Sequence, residues 1–395
     1  MDLVVLGYSG SLDTSVAIPW LAEKYRAEVV TLTIDFGQGR EVEEIRERAL
    51  AIGAARAHVL DLRDTFASHF ILPALQAGAF SEGRTALGRA LTRPLIAKHL
   101  LEIARIEGAG AIAHGGSSID GHPGRVTLAA RALDPSIQSI AVSRVWKSTP
   151  AKRLEYARQR GIPTLATAQD AAEANLWGRT IDATAASDDW QEPAEDLFLL
   201  TKRAEEAPGT PAYVEIEFAR GVPVGINGVE MSLAELIQCL ETIVGSHGVG
   251  RIDVVRPRVT GGTSRTIVEA PAAVALDAAH RDLQAFVTRP DLARIAAGLG
   301  TEYADLIATG QWFSQTREAL DGFVAHVQQR VSGVVRLKIF KCDCRVVGRR
   351  GVRPASDRGQ TGVRPLVATE GVTAATGRQL SKGSDPPFGK RGQTP

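Results

Sequence analysis

Ser9, Ser11, Asp13, Thr14 and Ser15 put five polar side chains within seven residues, beside the small residues Gly7 and Gly10. Hydroxyls and open backbone N–H groups of this kind can hold an anion such as a phosphate, and a carboxylate among them can balance a cation. Two flanking elements have to position them. Leu3-Val4-Val5-Leu6 is a short apolar run of the sort found in a parallel strand buried on both faces. Val16, Ala17, Trp20 and Leu21 recur with helical spacing, and Asp13 or Thr14 can serve as the N-cap of that helix. Strand, loop and helix N-terminus then aim free N–H groups and the positive end of the helix dipole at one spot.

The loop Gly7-Tyr8-Ser9-Gly10-Ser11-Leu12-Asp13-Thr14-Ser15 lacks the lysine of the G-x-x-x-x-G-K-[ST] P-loop, and it is not G-x-G-x-x-G. It resembles the S-G-G-x-D-[ST]-S loop of the pyrophosphatase-loop ATP enzymes, which split ATP between the α and β phosphates. Ser11 stands where that pattern has its second glycine. An ordinary strand-to-helix turn capped by Ser and Asp would use the same residues.

At 395 residues the chain is long enough for two domains. Its hydrophobic share of 44% and charged share of 23% are those of a globular protein, and a net charge of +1 demands neither nucleic acid nor a membrane surface. There is no bilayer-length apolar run and no signal-peptide pattern after Met1-Asp2, so a cytoplasmic location is expected. Of three cysteines, Cys239 lies in a helical pattern. Cys342 and Cys344 are two apart in a strand-like run and are expected to share a face. No other Cys or nearby His completes a zinc set.

Further along, Glu28 to Ile34 reads as a second strand, Glu41 to Ile52 as a helix stopped by Gly53, and Ala57 to Leu62 as a third strand. Arg93 to Ile106 reads as a helix with Pro94 in its first turn. Ala111 to Gly115 is another strand, running into a second small-residue loop, Gly116 to Arg125; Ser136 to Val142 is a further strand. Alternating strands and helices argue for a parallel α/β sheet, whose ligands bind beyond the strand C-termini, so both loops belong to one site. After about Thr167 the pattern changes. Tyr213–Phe218 and Val222–Gly228 alternate about a turn, Ser232-Leu233-Ala234-Glu235 is a capping box, helical periodicity runs from Pro271 to Val331, and Val334 to Val347 reads as a closing hairpin. From Gly351 onward there is hardly any apolar periodicity; the tail is expected to be disordered or draped on the surface, or to act as a basic arm for an anionic partner.

Longer stretches are similar, in order, to the argininosuccinate synthase family. They are Tyr8 to Leu21, Arg93-Pro94-Leu95-Ile96-Ala97-Lys98, Ala113-His114-Gly115, Asn175-Leu176-Trp177-Gly178-Arg179, His247 to Asp253, Glu269-Ala270-Pro271, Gln311-Trp312-Phe313-Ser314, Arg317 to Asp321 and Val347-Gly348-Arg349-Arg350. The resemblance implies a parallel-sheet nucleotide-binding domain of the adenine nucleotide α-hydrolase type over residues 1–167, then an α+β synthetase and multimerisation domain over 168–350 and a tail over 351–395. It further implies a reaction. ATP with Mg²⁺ adenylates the ureido oxygen of citrulline, pyrophosphate leaves, and the amine of aspartate displaces AMP. ATP would be held by residues Gly7 to Ser15 with Thr33, His114 and Gly115, and Ser9, Asp13 and Arg125 would serve the chemistry. The partners implied are small amino-acid-like substrates and further copies of the chain, as a homotetramer or dimer, without nucleic acid or membrane.

Departures from the family fall on the amino-acid side. Where the family has T-G-K-G-N-D, gap-free alignment places Ser117 at the Thr, Ile119 at the Lys, Gly121 at the Asn and His122 at the Asp. The Tyr of Y-P-L-G-T is Thr85 and its Thr is Arg89; the two serines around N-L-W-G-R are Ala171 and Thr180, while Arg125 and Glu269 are kept. Losing a partner for a buried charged group costs about 2–5 kcal/mol. The expectation is therefore an AMP-forming carbon–nitrogen ligase with altered substrates, in which Arg89 favours an acceptor carrying an added anionic group. A genuine argininosuccinate synthase with compensating contacts is one alternative, and a non-catalytic ATP-binding relative another. Sulfur transfer to tRNA fits poorly, since no cysteine lies near either loop.

Overall fold

The apolar run at the start of the chain forms β1 (Leu3–Gly7), and Val4, Val5 and Leu6 expose no surface. It lies at the centre of a parallel sheet with β2 (Glu28–Asp35), β3 (Arg56–Asp61), β4 (Ala111–His114) and β5 (Gln138–Ala141), in the order β3-β2-β1-β4-β5. The chain walks outward from β1 to β3 and then returns to the other side of β1. That reversal opens a crevice above the C-terminal ends of β1 and β4, the place where open α/β sheets take ligands. The computed structural model describes residues 2–39, 42–115, 124–163, 172–182, 190–257 and 263–351; Ser117, Ile119, Gly121, His122, Ala171 and the tail beyond Gly351 lie outside them.

The second half builds two antiparallel sheets. The first joins β6 (Ala172–Asn175), β7 (Gly178–Asp182), β11 (Arg251–Pro257) and β12 (Thr263–Glu269) in the order β11-β12-β7-β6. The second joins β8 (Ala212–Ala219), β9 (Val222–Ile226), β10 (Val229–Glu230), β13 (Gly333–Phe340) and β14 (Asp343–Gly351) in the order β10-β9-β8-β13-β14. The helical periodicity after Pro271 resolves into Pro271–Val287, Pro290–Thr309 and Gln315–Gln328. The capping box forms as read: Ser232 Oγ accepts from the Glu235 N–H and Glu235 Oε2 accepts from the Ser232 N–H. One continuous core joins Val5, Leu95 and Ile112 to Val214, Leu276 and Leu337, so the change near Thr167 is a change of sheet type and not a gap in packing. None of the helices among the described residues is long and apolar enough to cross a membrane.

Three local expectations need correction. The first helix is Leu12–Tyr25 with Ser11, in extended backbone, as its N-cap; Asp13 and Thr14 are already in the first turn, where the Asp13 charge complements the helix dipole. The helix expected from Arg93 runs from Gly88 to Glu107, with Pro94 in its second turn. Burial of Leu91, Leu95, Leu100 and Leu101 offsets the main-chain bond that proline forgoes. Cys342 does not share a strand face with Cys344, because the chain reverses at Lys341 and Cys342 (φ 42° and 66°), leaving Cys342 exposed at the turn and Cys344 inside β14.

Candidate functional site

The loop after β1 gathers its hydroxyls. Ser9 Oγ donates to Ser11 Oγ at 3.0 Å, Thr14 Oγ1 lies 3.2 Å from Ser11 Oγ, and the Ser9 N–H points at Thr14 Oγ1 at 3.3 Å. Gly10 takes φ +75°, the left-handed backbone that lets the loop fold tightly over the helix end. Arg48 braces the Gly10 carbonyl at 3.2 Å, and Tyr8 OH meets Ser15 Oγ at 3.1 Å beneath the loop, burial pushing that phenol up. Ser9 and Asp13 stay exposed, and the Asp13 carboxylate faces Arg153 Nε at 3.2 Å. The outcome is an open set of hydroxyl and N–H donors at a helix N-terminus, with one carboxylate beside it. Among the described residues no three His, Cys, Asp or Glu side chains come together as a metal set. A Mg²⁺ here would fit only as a companion of phosphate, with Asp13 as its protein ligand.

His114 ends β4 next to this loop. A Cβ placed on Gly115 would lie 3.3 Å from Thr14 Cγ2, so the end of β4 reaches the Ser9–Ser15 loop. The His114 ring is buried and joins Thr127 Oγ1 at 2.9 Å, which in turn meets Ser139 Oγ at 3.2 Å. Burial, then the charges of Arg93 and Arg144, pull its pKa down to about 4, so the ring is neutral at physiological pH. Thr33 is buried within β2, close to that strand's C-terminal end.

The β6–β7 hairpin packs against the chain just past β2. The Leu176 N–H donates to the Phe36 carbonyl at 2.8 Å just past β2. Gly37, at φ +85°, leaves room for that contact, since a Cβ there would fall 2.7 Å from Leu176 Cγ. On the same side, Arg93 Nη2 donates to both oxygens of Glu173 at 2.6 Å, and Arg89 Nε lies 3.3 Å from Glu173 Oε2. Thr180 sits directly across the hairpin from Glu173. Thr85 is buried, and its hydroxyl has no partner among the described residues.

Two kept residues are engaged within the protein. Glu269 is fully buried: Oε2 accepts from Arg179 Nη1 and the Leu199 N–H at 3.0 Å, while Oε1 accepts from the N–H groups of Leu200 (3.0 Å) and Thr201 (3.1 Å) and from Thr201 Oγ1 (2.8 Å). Arg125, first in the helix Arg125–Leu133, donates from Nε to the Ala308 carbonyl at 2.7 Å, at the end of the helix Pro290–Thr309. Sequence reasoning passed over Glu173, Thr127 and Arg153. The one signal for Glu173 was the i,i+4 spacing of Arg89 and Arg93, which sets two guanidiniums on one helix face in want of an anion.

The comparisons cover nearly all of this architecture. The family model of the arginosuccinate synthase N-terminal HUP domain matches residues 3–163, and that of the C-terminal domain residues 171–357. Argininosuccinate synthase of Dictyoglomus turgidum is 42% identical over 350 residues, covering 88% of this chain and 87% of the relative. The enzymes of that name from Dehalococcoides mccartyi and Symbiobacterium thermophilum are 44% identical over 351 residues (88% and 86% covered) and 43% over 348 residues (87% of each). The chain belongs to the argininosuccinate synthase family, whose members are ATP-using ligases. Relatives of that name back an ordinary member better than the altered-substrate ligase the departures suggested, and the pairing of Arg89 with Glu173 removes one reason for that expectation.

Proposed function

We propose that the chain is itself an argininosuccinate synthase, joining citrulline to aspartate at the expense of ATP. The observation that carries this reading is the hydroxyl-lined loop from Ser9 to Ser15 at the helix N-terminus, in a chain matched over 88% of its length by enzymes of that name. Loop N–H groups and hydroxyls hold the polyphosphate, and Asp13 would hold a phosphate-bound Mg²⁺, which would supply positive charge against the negative charge that moves onto the departing pyrophosphate. The ureido oxygen, a poor leaving group, becomes a good one once it carries the AMP moiety, and the amine of aspartate then displaces AMP. Neutral His114 sits beside the loop without adding a positive charge that would compete with Arg93 for anions.

The test is product analysis of ATP with citrulline and aspartate. Argininosuccinate, AMP and pyrophosphate should appear in equal amounts, and ADP with phosphate, or no turnover with this pair, overturns the reading. Asp13→Ala should abolish turnover while leaving urea stability within about 1 kcal/mol, since the Asp13 side chain is half exposed in its pair with Arg153.

A further inference from the structure

We propose that Arg153 is the cation that receives the pyrophosphate end of ATP. The proposal rests on the functional reading above and deepens it, since it supplies a charge that the loop lacks. From Gly7 to Ser15 there is no lysine or arginine, and the one charged side chain, Asp13, is negative. Loop N–H groups and hydroxyls offer partial charges only. A departing pyrophosphate gains a full negative charge, which a guanidinium already in place can meet with two parallel hydrogen bonds.

The helix Pro150–Gln159 delivers that guanidinium. Its start is fixed by Thr149 Oγ1, which accepts from the Lys152 N–H at 3.2 Å. Arg153, Tyr156, Ala157 and Arg160 follow at spacings of three and four, so they share one face. That face meets the first helix, Leu12–Tyr25. Ala157 joins Val16 in one buried cluster, while Tyr156 OH and Arg160 Nη2 donate to Glu23 at 3.2 and 2.7 Å. Trp146 stacks on Trp20 beside them, with ring centroids 5.2 Å apart. The two helices therefore run side by side in the same direction, and Arg153 arrives at the first turn of Leu12–Tyr25.

There the Arg153 side chain is 18% exposed, and Nε comes within 3.2 Å of Asp13 Oδ1. The two arginines of this face differ. Arg160 donates a hydrogen bond to its carboxylate, whereas Arg153 Nε is buried and finds no hydrogen-bond acceptor among the described residues. Its nearest approach to Asp13 is through Nε, which leaves the terminal nitrogens to a second anion. Arg48, the other cation at the loop, donates to the Gly10 carbonyl. A guanidinium ordered by packing and short of acceptors, at the mouth of a donor loop, suits entering phosphate oxygens. As the ureido oxygen bonds to the α-phosphorus, the bond from that phosphorus to the bridging oxygen breaks. Its electron pair stays on the bridging oxygen, and Arg153 donates hydrogen bonds to the pyrophosphate so formed without giving up a proton.

The experiment measures binding of inorganic pyrophosphate and of AMP, separately, by calorimetry on the full-length protein in metal-free buffer. Arg153→Ala should weaken pyrophosphate by about tenfold or more and leave AMP within about twofold. Arg153→Lys should fall between, a point charge replacing a fork. Asp13→Ala should tighten pyrophosphate, because it removes the competing carboxylate; an arginine acting only through Asp13 would predict matching losses in the two variants. Arg160→Ala, which breaks the other ion pair of the same face, should leave pyrophosphate affinity unchanged. The proposal is overturned by wild-type protein that binds no pyrophosphate, by an Arg153→Ala affinity within about twofold of wild type, or by equal losses in Arg153→Ala and either control. The two readings fail separately. Wild-type protein that makes no argininosuccinate sinks the functional reading, while active protein whose pyrophosphate affinity ignores Arg153 sinks only this role.

Discussion

Two glutamates of one antiparallel sheet keep company with arginine and meet opposite fates. Glu269 lies on the interior strand β12, has no exposed surface and accepts five hydrogen bonds, one from Arg179 and four from Leu199, Leu200 and Thr201. Glu173 lies on the edge strand β6, is 40% exposed, and is held by Arg89 and Arg93. The same side chain is a knot in one place and a partly solvated ion pair in the other. Solvent access decides which: a buried carboxylate needs every lone pair met, whereas one at an edge can trade its partners for water or ligand.

The largest expected effect breaks the knot. Glu269→Ala leaves Arg179 buried without its anion and three backbone N–H groups without an acceptor, and should cost about 3–5 kcal/mol in urea unfolding at pH 7. Glu173→Ala should cost under about 1 kcal/mol in the same experiment, because its pairs are partly solvated. Losses of similar size at the two sites would erase the contrast.

Acid sharpens the comparison through buried histidines. Burial holds His114 and His280 at about 4, well below the ordinary 6.5, and the His280 ring lies 2.9 Å from Gln328 Oε1 deep in the core. Between those two values the unfolded chain binds protons that the folded one refuses, so stability falls as pH drops from 6.5 toward 4. Each ring accounts for about 3 kcal/mol over that window. Urea midpoints at pH 7 and pH 4.5 measure the loss, and His280→Gln should remove roughly half of this histidine-linked loss. A variant as acid-sensitive as the parent would show that the ring is not held neutral.

What could be read from the chain was local. The strand-loop-helix at Gly7 to Ser15 and the capping box at Ser232 lie within spans of a dozen residues or less, and periodicity and residue type sufficed. Pro94 misled because a proline suits a helix start, and only the packing of Leu91 and Leu95 against the core shows that the helix begins earlier. Cys342 was read as strand because its neighbours alternate, with no glycine to mark the turn. The tasks of Glu173 and Glu269 were out of reach. Their partners lie some seventy to ninety residues away along the chain, and most of those of Glu269 are backbone N–H groups that no residue type announces.

The smallest expected effect has the opposite sign. Thr85 is 6% exposed, its backbone closes a bridge with Ser81, and its hydroxyl meets no partner among the described residues. A buried hydroxyl without a hydrogen bond costs about 1–3 kcal/mol, and valine has nearly the same shape without it. Thr85→Val should therefore raise the unfolding free energy of the ligand-free protein by about 0.5–1 kcal/mol. Thr85 lies four residues before Arg89, on the side assigned to the acceptor, so the same change should lower kcat/KM for citrulline by about tenfold if the hydroxyl is kept for substrate. Greater stability with poorer catalysis is the mark of a polar group retained for a ligand. A less stable variant would mean that the hydroxyl is bonded within the protein, and would move Thr85 from the side of Glu173 to that of Glu269.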